Sequence, residues 1–296
     1  MQTTAEPADK PHDKPVSDAS AAGGTMAGGL AANAPWEADG LRLYVLGSGS
    51  QGNCSVIACP EGLVLVDAGL SCRQTFERMG RLGLDPADVR AVLVTHEHAD
   101  HIGGLRVTAK RLGVPVYASE GTSSSDSWRK ALTVCAETLV ARRPFSVCGI
   151  RVTPFQVPHD AAETMGFRFE RAGDAIGLCT DLGRVTEEAG EHLRDARILA
   201  IESNHDPEML RGYEGYPAHL KARIAGGSGH LSNEQASDAI PRLATSRTET
   251  VVGMHISQHT NLPSTCRDAL LRGEEACDRR DLRTVVASQV TPLAIL

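Results

Sequence analysis

The stretch THEHADH, residues 95–101, decides how this chain is read. It stands where the apolar run AVLVT (91–95) stops, and it sets His96, His98, Asp100 and His101 on one short loop. Nitrogen and oxygen donors of this kind suit zinc, manganese or iron. A single HxH pair would be read more simply as a solvated polar turn; four metal-competent side chains so close together reverse that preference. One loop cannot fill the shells of two cations, and further donors stand at later strand ends: His159 after FQVP, Asp181 after GLCT and His255 after TVVGM. Any one of these alone would pass as structural, but their order behind the loop makes them a set.

Outward from the loop, the chain alternates short β-rich runs with helical stretches. Before it come LRLYVLG, CSVIAC and LVLVDAG, the last two joined by the turn PEG, and then a helical stretch from Ser71 to about Leu82. After it, the pattern predicts a helix through Gly104 to Leu112, a strand VPVYAS and a Ser-rich loop at Gly121 to Ser127. Strands IRVTPFQVP, MGFRFER and AIGLCTD follow, then a helix near Glu187 to Arg194 and the buried strand ARILAIES. Residues Pro207 to Ile224 read as helical, Ser232 caps the next helix, TVVGMH is a strand, and the end from about Thr265 reads as helix then strand. This is an α/β rhythm with two β-rich halves.

Composition bounds the function. With 296 residues at 41% hydrophobic the chain can bury a substantial core. No run approaches the ~20 apolar residues of a membrane span, and the start lacks a signal-peptide pattern, so a soluble, cytoplasmic protein without a membrane partner is expected. The eight cysteines form no CxxC pair and read as buried free thiols in a reducing compartment. Residues 1–40, rich in Ala, Gly and Pro, read as a disordered leader, with residues 41–296 as one domain. Six acids and two lysines put −4 of the −7 net charge in that leader. The near-neutral remainder gives no sign of broad polyanion affinity, so nucleic-acid binding would have to be local and metal-assisted.

The order Asp67, His96, His98, Asp100, His101, His159, Asp181, His255 resembles the metallo-β-lactamase superfamily over essentially everything after residue 40. Within it, LGSGSQGN, VPHDAAE, CTDLGRV, IESNHD, GHLSN and MHISQHTN resemble the YycJ/WalJ-type branch. The resemblance implies an α/β fold, a four-layer αβ/βα sandwich with the metals at one edge of its two sheets. It implies two divalent ions, zinc or manganese with iron also suited: His96, His98 and His159 on one, Asp100, His101 and His255 on the other, Asp181 between them. Asp67 would orient ligands from behind. Between cations roughly 3.5 to 4 Å apart, a bridging water becomes a hydroxide nucleophile near neutral pH. Asp100, Asp181 and His230 are the expected catalytic groups.

The fold alone does not choose a substrate. His230 in GSGHLSN resembles the extra histidine of phosphodiesterase branches, able to contact a phosphate or protonate the departing oxygen; the plainer reading is that it anchors the helix after it. His205 is a second substrate-binding candidate. Arg211, Lys221 and Arg223, or Arg106, Lys110 and Arg111, could grip phosphates or simply form solvated helix faces. The branch points to a DNA exonuclease. A hydrolase of small thioesters, lactones or cyclic phosphates is the alternative. Only 73 residues separate Asp181 from His255, too few for the large inserted domain that clamps RNA in longer nucleases. Aromatic residues make up 4% of the chain, which leaves a base-stacking platform poorly supported.

Overall fold

The structure, a computed structural model, describes residues 40–131 and 136–296. The leader expected before residue 40, and Cys135, lie outside the described residues. Strands β1 (Arg42–Gly47), β2 (Cys54–Cys59) and β3 (Gly62–Val66) form an antiparallel meander, beside which β4 (Val89–Leu93), β5 (Val116–Ser119) and β6 (Glu137–Leu139) run parallel to β3. The second sheet repeats this plan. Strands β7 (Phe145–Val147), β8 (Ile150–Val157), β9 (Thr164–Arg171) and β10 (Asp174–Cys179) are antiparallel, and β11 (Ile198–Glu202), β12 (Thr250–Met254) and β13 (Arg283–Val286) continue parallel to β10. Strand β14 (Leu293–Ile295) returns to pair with β1, giving two seven-stranded sheets.

Strands β1, β2, β3, β11 and β12 are buried along their whole length because both faces are covered, whereas the edge strands β6, β7 and β13 are partly exposed. Side chains alternate along a strand, so Leu43, Val45, Val64 and Val66 point into the core between the sheets, where they meet Phe167, Phe169, Ile176 and Leu178. Their neighbours Tyr44, Leu46, Leu63 and Leu65 face outward. Helices α1 (Cys72–Arg81) and α3 (Leu105–Leu112) cover that outer face with Met79, Leu105 and Ala109. On the far side, Leu199 and Ile201 pack under α6 (Glu187–Leu193) and α9 (Asn233–Leu243), and Val251 packs with Cys266 and Leu270 of α10 (Pro263–Ala276). Helix, sheet, sheet, helix are the four layers expected from the sequence.

Local signals explain several boundaries. Ser71 and Gln74 form a capping box at the start of α1, and Ser232 with Gln235 does the same for α9. Two expectations are corrected. The Ser-rich stretch expected as a loop is two short helices, α4 (Glu120–Ser124) and α5 (Asp126–Ala131), because Ser119 Oγ accepts from Thr122 N and Ser125 Oγ from Trp128 N. The helical segment 207–224 is two helices, α7 (Pro207–Gly212) and α8 (Ala218–Ile224), broken at Tyr213 to Pro217, where Gly and Pro end the turn. The seven cysteines among the described residues are free thiols.

The architecture gathers one edge. Asp67 follows β3, the THEHADH loop follows β4, His159 follows β8, Asp181 follows β10, and His255 follows β12. All five strands run the same way, so their carboxyl ends, where open α/β sheets place ligand sites, converge.

Candidate metal centre

After Val94 the chain leaves the sheet through a one-turn helix, α2 (Ala99–Ile102). Three backbone bonds clasp this loop: Asn53 N donates to Asp100 O at 2.7 Å, Ala68 N to His101 O at 2.9 Å and Gly104 N to Ala68 O at 2.8 Å. The Asp67 carboxylate accepts from Thr95 N at 2.8 Å and from Thr95 Oγ1, and it lies 2.8 Å from His101 Nδ1. Asp67, Asp181 and His255 all hold positive φ, at 62°, 58° and 55°. Non-glycine residues in that region are uncommon and cluster at functional sites.

Four imidazoles have Nδ1 engaged from behind, whereas His98 turns its Nδ1 to His159 Nε2 at 3.3 Å. His159 Nδ1 meets Gly229 O at 2.9 Å, His101 Nδ1 meets Asp67, and His255 Nδ1 and His230 Nδ1 meet Glu202 Oε1 at 2.9 and 2.8 Å. A ring nitrogen facing a carbonyl or carboxylate oxygen carries its proton there, which leaves the Nε2 lone pair pointing the other way. Those front atoms converge. His96, His98 and His159 form one group of donor atoms within 4.8 Å of one another, Asp100, His101 and His255 another, His96, His101 and Asp181 a third, and Asp181, Glu202, His230 and His255 a fourth. Asp181 lies between, with Oδ2 3.1 Å from His101 Nε2 and Oδ1 3.8 Å from His159 Nε2.

The donor set fits divalent cations on two counts. It mixes imidazole and carboxylate, as borderline divalent metals prefer. Moreover, His96 Nε2 and Asp181 Oδ2 are buried without a hydrogen-bond partner. Leaving such atoms bare costs ~1–3 kcal/mol each, and a cation would satisfy both.

Glu202, at the end of β11, went unassigned by the sequence reading. It is fully buried and also accepts from Leu182 N and Leu231 N at 3.1 and 3.0 Å. Burial pushes its carboxyl up, but the charge of His230 and the hydrogen bonds from His230 and His255 outweigh this and hold it at about 2. Its signal was present as an acid closing the buried run ILAIE. Asn53 was also unassigned; its amide nitrogen lies 3.2 Å from Asp100 Oδ2 and 3.0 Å from His101 Nε2.

The substrate candidates separate. His230 stands beside the centre, its Nδ1 3.6 Å from Asp181 Oδ1. His205 is 2% exposed, falls in none of the donor groups, and its backbone bridges to Ser232. Arg223 pairs with Asp160 and Arg111 lies over the Phe76 ring, so both have structural partners. Arg211 stays exposed beside Glu208.

Residues 63–256 match the family described as Beta-lactamase superfamily domain. Exodeoxyribonuclease YycJ of Bacillus anthracis is 37% identical over 240 residues, covering 77% of this chain and 87% of that protein. Exodeoxyribonuclease WalJ of Streptococcus pneumoniae is 34% identical over 233 residues, covering 75% and 84%. Among solved structures, the metallo-β-lactamase fold protein YhfI from Bacillus subtilis superimposes with a TM-score of 0.64 at 14% identity, over 87% of this chain and 100% of that one. Fold, donor chemistry and relatives agree: the chain belongs to the metallo-β-lactamase superfamily of metal-dependent hydrolases, in its YycJ/WalJ branch.

Proposed function

We propose that this chain is a cytoplasmic, dinuclear metal-dependent phosphodiesterase that degrades DNA as an exonuclease. The observation that supports it best is the convergence of overlapping donor groups at one edge, two of them sharing Asp181, with His230 Nδ1 3.6 Å from Asp181 Oδ1. In this reading His96, His98 and His159 hold one cation, Asp100, His101 and His255 the other, and Asp181 serves both. Zinc, manganese or iron bound there would supply a nucleophile from water near neutral pH and neutralise charge building on a scissile phosphate. The chain's own contribution is orientation. Asp67, Glu202 and the Gly229 carbonyl each hold a histidine from behind, so the front nitrogens face the centre without rearrangement. Asp100, with its side chain 22% exposed against 2% for Asp181, is the acid nearer the opening. His230, fixed by Glu202, turns its other nitrogen to the phosphate or the departing oxygen. Residues 41–296 form the hydrolase domain and residues 1–40 lie outside it as a leader. The exodeoxyribonuclease names of the 37% and 34% identical relatives support DNA as the substrate.

The test is digestion of end-labelled duplex and single-stranded DNA with added manganese or zinc, with Asp181→Ala as control. Metal-dependent shortening that the variant lacks is expected. Two bound metals with no cleavage would move the assignment to a small ester or thioester.

A further inference from the structure

Two of the four tyrosines, Tyr213 and Tyr216, meet His259 on the loops that leave the carboxyl ends of β11 and β12. Tyr213 and His259 lie face to face, with centroids 5.4 Å apart and planes at 17°. Tyr216 stands edge-on to both, 4.7 Å from Tyr213 and 6.1 Å from His259. The two tyrosines are half-buried and His259 is exposed, so the histidine is the outer member of the stack. A side chain at Gly215 would strike the Tyr213 ring, so a glycine there lets the backbone pass close beneath it.

This cluster is tied by hydrogen bonds to the segment that carries His255. His259 is four residues beyond His255, a Cα separation of at most ~14 Å. Its loop is pinned from below: Ser257 N donates to Asn204 O at 2.8 Å, Asp206 N to Thr260 O at 2.8 Å, and Asn261 Nδ2 to Ser203 O at 2.9 Å. Asn204 in turn donates to His255 O at 2.9 Å, so the ring stack and the candidate ligand share one scaffold. Arg211, its side chain 74% exposed and 3.9 Å from Glu208, lies in the last turn of α7 two residues before Tyr213, and Lys221 Nζ donates to Arg211 O at 2.6 Å. Beside His259 in the chain, Gln258 accepts from Gln51 Nε2 at 2.9 Å.

We propose that Tyr213, Tyr216 and His259 form a stacking platform for an unpaired base at the end of the DNA strand being degraded, with Arg211 and Lys221 on its phosphates. Aromatic faces flanked by cations are how single-stranded nucleic acid is held without sequence preference. The platform rests on the nuclease reading and adds a demand to it: the terminal base must be free of its partner. The scarcity of aromatic residues in the whole chain does not weaken this, because half the tyrosines are gathered here.

The test uses the full chain and oligonucleotides with 2-aminopurine at the terminal position. Wild type should quench that fluorescence on binding, and Tyr213→Ala and His259→Ala should lose the quenching and raise KM for DNA roughly 5- to 100-fold, the scale of one lost stacking contact. Tyr213→Phe and His259→Tyr should restore both. Hydrolysis of a chromogenic nitrophenyl phosphodiester, which has no base, should be unchanged in all four. Equal losses on DNA and the chromogenic ester, or wild-type kinetics on DNA in the alanine variants, would overturn the platform. Quenching by a wild-type protein that cleaves no DNA would overturn the nuclease reading and leave the platform standing.

Discussion

Glu202 Oε1 lies 2.9 Å from His255 Nδ1, so a buried carboxylate at the end of one strand sets the ring of a candidate ligand at the end of the next. The same oxygen is 2.8 Å from His230 Nδ1, which makes Glu202 the link between the donor set and the proposed phosphate-side histidine. Glu202→Gln keeps the volume but loses the charge, and it sets an amide NH2 either against the N–H groups of Leu182 and Leu231 or against the Nδ1 atoms of His230 and His255. Removing an orienting partner of this kind typically costs 10–100-fold in metal affinity or activity. Metal content measured after dialysis against a graded chelator should fall on that scale, and unchanged retention would show that His255 needs no support from Glu202.

What could be read from the sequence was what lies close together in it. THEHADH is one loop, and Asp67, His159, Asp181 and His255 each follow an apolar strand pattern, so the structure brings to one edge the residues the pattern had ordered. The role of Glu202 was not readable, because its partners are 28 and 53 residues away and meet it only once β10, β11 and β12 have paired. Strand β14 was missed for the same reason. Three residues carry no periodicity of their own, and Leu293–Ile295 becomes a strand only because Val45, Tyr44 and Leu43 await it across the sheet. The stretch 121–127 misled because serine favours both loops and caps, and Ser119 and Ser125 are used here as caps.

Gly69 packs against the metal loop so closely that an added Cβ would come 1.6 Å from Asp100 O, and its own N–H is spent on Asn53 O at 2.9 Å. Gly69→Ala must therefore push α2 away from the sheet edge. Overpacking of this kind costs ~1–3 kcal/mol, and here the displaced backbone carries Asp100. Gly80, on the exposed side of α1 with nothing within 4 Å of its virtual Cβ, is the contrasting case. Gly80→Ala should gain ~0.5–1 kcal/mol from helix propensity. Thermal melts of the two variants should move in opposite directions; a neutral Gly69→Ala would mean the clasp around Asp100 is slack.

His98 and His230 should separate holding metal from handling substrate. His98→Ala removes a donor from the group with His96 and His159, and we expect hydrolysis to vanish together with metal. His230 lies beside Asp181 but is hydrogen-bonded to Glu202, so His230→Ala should slow turnover while metal content stays at the wild-type level. Metal analysis of the purified variants decides this. Loss of metal from His230→Ala would put His230 among the ligands and displace the role given to it here.

Away from the site, Asp174 and Arg197 of the second sheet grip the entry of the first. Asp174 Oδ2 accepts from Leu41 N at 2.8 Å, Oδ1 lies 2.8 Å from Arg197 Nε, and Arg197 Nη2 donates to Leu41 O at 2.6 Å. Burial raises the Asp174 carboxyl, but the Arg197 guanidinium and the N–H groups of Leu41 and Ala175 outweigh it and hold the group below its usual range. A carboxylate depressed in the folded state stabilises the protein above its unfolded pKa of ~3.9, and that stabilisation is lost as pH falls through the folded value. Hydrogen bonds to a charged group contribute ~1.5–3 kcal/mol, so Asp174→Asn at pH 7 should lower the melting temperature by roughly 3–12 °C for a chain of this size. Lowering the pH below ~3.9 and on through the folded value should progressively close the gap between variant and wild type, because the wild type then loses what the variant already lacks. Parallel acid limbs for the two proteins would show that Asp174 carries no ionisation-linked stability and that Leu41 is held by packing alone.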